Sequence, residues 1–157
     1  MEEKWFENAR EGYLDNMKNI YKIMKEKGIE EYVKEWRDER EDEGMDGWEF
    51  TSTTILIEAT RHGRPNVVRW LLHELKVDVN EQNSHPMYYP SPGEPDFIQN
   101  SDTALHIAAR NNQIECARLL LDAGSQHLEN EIGSTPLEYA KHNEEMQDLI
   151  RSHFQLI

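Results

Sequence analysis

A chain of 157 residues has room for one domain and none for a separate catalytic one. Its formal net charge of -14, from 31 acidic and 17 basic side chains, argues against a nucleic-acid backbone or an anionic membrane as partner and favours a basic one. A hydrophobic fraction of 37% with a mean hydropathy of -0.87 is low for a thick core and suits an array only two helical layers deep.

No apolar run approaches the roughly 18 residues of a membrane span, and the first ten residues lack the basic and apolar regions of a signal peptide. A soluble, unsecreted protein of the cytoplasm or nucleus is expected. Glu2 to Lys27 reads as a helical pair, with Trp5, Phe6, Ala9, Leu14, Met17, Ile20, Tyr21 and Met24 apolar and Lys18, Asn19 and Lys22 outward. Next, Ile29, Tyr32, Val33 and Trp36 fall at helical spacing and predict an added amphipathic helix. The acidic stretch from Glu35 to Glu49 then reads as a solvated helix end and turn, or as a docking patch for a basic partner.

A second pair starts at Thr54. Pro65 falls at the start of its second helix, where the missing N–H costs nothing, and Val67, Val68, Leu71 and Leu72 point inward. After Asn83, Pro86, Pro90, Pro92 and Pro95 forbid a helix and predict an extended loop. Met87, Tyr88, Tyr89, Phe97 and Ile98 are large apolar groups that either fold back onto the array or await a partner.

The clearest unit runs from Ser101 to Asp122. Thr103 stands at a helix cap, and Leu105, Ala108 and Ala109 share one face. Asn111 and Asn112 tolerate the left-handed backbone of a turn without glycine. A second apolar run follows through Ile114, Cys116, Ala117, Leu119, Leu120 and Leu121. As the only cysteine, Cys116 can form no internal disulfide, and it fits the buried stripe better than it fits a reactive thiol. The last pair, Thr135 to Ile150, has the polar outer face of a closing cap. Phe154, Leu156 and Ile157 either prolong its helix or mark continuation into a larger protein.

These pairs repeat one another. Leu56 aligns with Leu105, Ala59 with Ala108 and Leu71 with Leu120, while Thr54, Thr103 and Thr135 take the same cap position. Thr135, Pro136 and Leu137, His106, and Leu120, Leu121 and Gly124 together resemble the signature of the ankyrin repeat. The N-terminal pair fits as a degenerate unit with Gly12 aligned to Gly63. Ile55 and Ala104 replace the motif's proline, and Asn112 replaces its mid-repeat glycine. Thr103 to Thr135 spans 32 residues, but Thr54 to Thr103 spans 49 and Gly12 to Gly63 spans 51. Against a period of about 33, two insertions of roughly 16 to 18 residues follow.

The resemblance implies an all-α ankyrin-repeat solenoid of about four stacked helix-turn-helix units, one domain over residues 1–157. Its units fall at about 3–28, 51–82, 100–131 and 132–153, with inserted connections at about 29–50 and 83–99. It also implies that His106 is structural, bonding neighbouring backbone and tying adjacent units. No zinc spacing among the seven histidines, phosphate-binding glycine loop or nucleophile elbow is present, so neither an enzyme nor a metal, cofactor or small-molecule substrate is expected.

The resemblance further implies a non-enzymatic protein-protein interaction module, an adaptor or regulator that binds through the concave face of its first helices and the inserted loops. By alignment that face carries Glu58, Arg61, His62, Ile107, Arg110, Asn111 and His142, with Tyr88, Tyr89 and Phe97 as aromatic anchors in the loop. The expected partner is a protein of basic or mixed-charge surface. Two alternatives stay open: a structural or self-assembling array whose insertions only cover the core, and the substrate-recognition part of a larger ubiquitin-ligase receptor.

Overall fold

The computed structural model describes residues 1–35, 37–44, 47–83 and 101–156, with the backbone alone for 35–52. Trp36 and the loop residues Pro86, Met87, Tyr88, Tyr89, Pro90, Pro92, Pro95, Phe97 and Ile98 lie outside the described residues, as does Ile157. In order, the elements are α1 (Glu2–Glu11), α2 (Leu14–Glu26), α3 (Tyr32–Glu35), β1 (Arg37–Gly44), β2 (Gly47–Thr54), α4 (Ile55–Arg61), α5 (Pro65–Trp70), α6 (Ala104–Arg110), α7 (Ile114–Asp122), α8 (Pro136–Tyr139) and α9 (Glu144–Phe154).

Among the described residues the fold is mostly helical, all-α apart from one two-stranded antiparallel sheet. The helices pair as α1/α2, α4/α5, α6/α7 and α8/α9. First helices stack in the row α1-α4-α6-α8, and α5, α7 and α9 form the row behind them. Each pair alone is too short to be stable, so the burial between pairs holds the array together. Ala59, Ala108 and Ala140, at equivalent positions, are almost wholly buried and leave room for close helix approach. Leu105, Leu120, Met146 and Ile150 fill the core between pairs, and the Trp70 indole joins the first two, meeting Trp5 and Tyr21 edge-on at 5.9 Å each.

Local chemistry sets the helix starts. The hydroxyls of Thr54, Thr103 and Thr135 accept the backbone N–H of Ile57, His106 and Glu138, three residues on in each case. At Thr135 the Glu138 carboxylate returns the bond to the Thr135 N–H at 2.6 Å, which closes a capping box and lowers the Glu138 pKa. Between the paired helices, Gly63 and its counterpart Asn112 both take left-handed backbone, at φ 61 and 56; Asn111 does not.

One extra residue in the second pair is absorbed by a π turn. Leu120 precedes the left-handed Gly124 by four positions, whereas its counterpart Leu71 precedes the left-handed Lys76 by five. Leu71–Leu75 accordingly continues α5 as π-helix, and Leu71, Leu72 and Leu75 all remain buried.

The connection after α2 corrects the helical expectation. Among its described residues only one turn, α3, is helical, with Val33 buried and Tyr32 exposed. The acidic stretch expected as a helix end and turn is instead β1, paired with β2 in a register from Arg37 opposite Thr54 to Gly44 opposite Gly47. The strand signal lay in β2, where Trp48 and Phe50 alternate ahead of Thr51, Thr53 and Thr54, aromatic and β-branched residues that suit a pleated chain.

Candidate functional site

The two central first helices, α4 and α6, expose little of themselves. Every residue of α4 from Ile55 to Thr60 and of α6 from Ala104 to Ala109 is buried, and exposure returns only at the terminal Arg61 and Arg110 and the His62 and Asn111 that follow. Glu58 and Ile107 are therefore not available to a partner, which corrects their assignment to the binding face. Neighbouring first helices cover both flanks, so the helical period that puts them beside the exposed positions places them inside.

Glu58 is a buried carboxylate with a structural task. It accepts from Arg10 Nε of α1 and from an Arg61 terminal nitrogen of α4, both at 2.8 Å, and the His62 ring stands 3.8 Å away. Two pairs are thereby joined through one side chain. Arg61 remains 40% and His62 42% exposed. Across the next junction, Asn111 Nδ2 donates to the Arg61 carbonyl at 3.4 Å, which sets the ends of α4 and α6 side by side.

Asp102 organises the neighbouring site. Its buried carboxylate accepts from Arg110 at 2.7 Å and from Asn130 Nδ2 at 2.8 Å. The same Asn130 nitrogen lies 2.8 Å from the Tyr139 hydroxyl, and the Arg110 guanidinium rests 4.3 Å above the Tyr139 ring. The Asp102 carbonyl accepts the Asn83 N–H at 3.0 Å, and Gln82 and Thr103 form a β-bridge. The described residues on either side of 84–100 are thus joined at the residue that holds Arg110.

His106 ties the third pair to the fourth. The Thr103 N–H donates to Nδ1 at 3.2 Å, which leaves the proton on Nε2 to donate to the Ser134 carbonyl at 3.0 Å. Burial pushes the ring's pKa below its usual value, and an edge-on contact with Tyr139 at 5.5 Å completes its enclosure. On the buried face of α7, burial pushes the Cys116 thiol up to about 11, with the Glu115 carboxylate a second cause.

The structure brings Arg61, His62, Arg110 and Asn111 together on the exposed edge of the first-helix row, and His142 is exposed just beyond α8. Tyr88, Tyr89 and Phe97 lie outside the described residues. Sequence reasoning missed Arg10, Asp102, Asn130 and Tyr139. The alignment of Gly12 with Gly63 already placed Arg10 level with Arg61; the other three gave no local signal, since their partners lie up to 28 positions away. Among the described residues no group of three or more His, Cys, Asp or Glu side chains could hold a metal ion, and no helix is long and apolar enough to cross a membrane.

Residues 86–153 match the family model described as ankyrin repeats in three copies, and residues 53–84 match that of the ankyrin repeat. No curated protein matches the chain.

Proposed function

Because the chain belongs to the ankyrin-repeat family, we propose that it is an adaptor or regulator, holding a protein segment between the exposed edge of its first helices and the insertion at about 83–99. Members of the family are typically non-catalytic scaffolds, and this chain is a protein-protein interaction module, not an enzyme. In our reading its four helix pairs are four repeat units, the two long connections are insertions, and the cytoplasm or nucleus is its compartment.

The observation that carries the binding site is the Asp102 junction. One residue accepts the Asn83 N–H through its carbonyl and positions exposed Arg110 through its carboxylate. In this reading a segment resting on the first-helix edge lies beside Asn83 and Asp102, between which the insertion runs in sequence, and Tyr88, Tyr89 and Phe97 are the proposed apolar anchors. Partner charge follows from two scales. The net charge of -14 draws basic groups from a distance, whereas the helix edge itself is cationic, so a segment of mixed charge suits both.

A quantitative pull-down from a lysate of the source organism tests this, with the intact chain set against one whose Pro86 to Ile98 segment is replaced by a Gly/Ser linker of equal length. A protein captured by the first and lost by the second is expected. Equal capture moves the site away from the insertion, and capture by neither favours an array whose insertions only cover its core.

A further inference from the structure

Arg61 and Arg110 occupy the same position in consecutive helix pairs, and each is the exposed last residue of a helix whose other six residues are buried. Each guanidinium is anchored on a carboxylate that is itself buried and held from elsewhere. Arg61 donates to Glu58, which Arg10 also holds; Arg110 donates to Asp102, which Asn130 also holds, and lies over the Tyr139 ring. Their side chains nevertheless stay 40% and 42% exposed. A guanidinium carries five N–H donors, and neither arginine makes a further side-chain hydrogen bond among the described residues.

The geometry points to a paired carboxylate-binding strip: Arg61 and Arg110 together recognise two acidic side chains of an extended protein segment, spaced three residues apart. This rests on the reading of the chain as a protein-binding module and names the chemistry of its partner. Three arguments carry it. First, the ordering cost of a long cationic side chain, normally charged against binding, is already met inside this fold, where anchoring carboxylates and the Tyr139 ring fix the forks. Second, the free donors suit planar, bidentate acceptors.

Third, the spacing selects the ligand's register. The ends of α4 and α6 are adjacent, as the Asn111 to Arg61 bond shows, and neighbouring helices lie about 8–10 Å apart. In an extended polyproline-type chain, residues i and i+3 share a side at a separation of about 9 Å. A polynucleotide carries phosphates on every unit and would meet the surrounding charge of -14 along its whole length. A short acidic pair meets the strip alone.

The test is selection of a random displayed-peptide library on the full chain. Enriched peptides are expected to carry Asp or Glu pairs at i and i+3, although the bulk charge opposes them. Arg61→Gln should lower their capture about tenfold, and Arg61→Lys, which keeps the charge and loses the fork, should restore only part. Arg110→Gln leaves buried Asp102 short of a cation and is checked by thermal melting; Arg61→Gln, which leaves Arg10 on Glu58, decides the matter if the first variant unfolds. The inference is overturned by enrichment of basic or purely apolar peptides, by no enrichment, by equal capture on Arg61→Gln, or by full displacement with single-stranded DNA. Should acidic pairs fail to enrich while the lysate pull-down still captures a protein, the strip fails and the module reading stands.

Discussion

His106 Nε2 lies 3.0 Å from the Ser134 carbonyl oxygen, 28 positions away, and that bond spans the junction between α6 and α8. Nε2 carries a hydrogen whether or not the ring is charged; the neutral ring is required at Nδ1, which accepts the Thr103 N–H and would lose that bond on protonation.

A pH dependence follows. Burial lowers the folded pKa of His106 from 6.5, so the unfolded chain takes up a proton at a pH where the folded one still refuses it. The contribution to stability is complete above the unfolded value and is lost as pH falls toward the lowered folded one. His127, also lowered by burial, acts in the same direction. Relief of acidic self-repulsion works against both as pH falls. The measurement is therefore the difference in Tm between about pH 7.5 and about pH 5.5 for wild type against His106→Gln. Wild type should lose more; equal losses would remove His106 from the account.

Leu120 is fully buried between α7 and its neighbours. Leu120→Ala should cost about 2 to 5 kcal/mol by leaving a cavity, read from urea unfolding. An unchanged midpoint would mean that the second helices do not pack in this register.

Glu58→Ala should cost about 2 kcal/mol. That is less than the 3–5 kcal/mol typical of breaking a fully buried pair, because the freed guanidiniums of Arg10 and Arg61, 22% and 40% exposed, can reach water. Arg61→Gln should cost under about 1 kcal/mol, as Arg10 still satisfies the carboxylate. A larger loss for Arg61→Gln than for Glu58→Ala would reverse this ranking.

The Cys116 thiol, pushed up to about 11 and buried, should resist iodoacetamide at about pH 8 in the folded chain and react once urea unfolds it. Rapid labelling of the folded protein would place the thiol outside the core.

Binding of a captured partner should weaken as salt rises, since Arg61 and Arg110 are exposed and screened. Salt-indifferent capture would assign the affinity to apolar groups of the insertion instead.

What the sequence determined by itself was whatever depends on near neighbours along the chain. Thr54, Thr103 and Thr135 cap helices because a hydroxyl three residues before an N–H needs no tertiary context, and the apolar spacing through Leu56, Leu105 and Leu120 defines inward faces for the same reason. Asn112 was legible as a left-handed turn residue from its chemistry. Tertiary structure alone decided which of the remaining positions see solvent. Glu58 and Arg61, three residues apart on one helix, carry equally polar side chains, yet one lies between stacked helices and the other at their edge. Asp102 gave no signal because its partners Asn83, Arg110 and Asn130 meet only when α6 packs beside its neighbours. The β1-β2 pairing likewise rests on contacts between strands, and the charge of β1 concealed it, since a strand takes its register from the chain beside it and not from its own sequence.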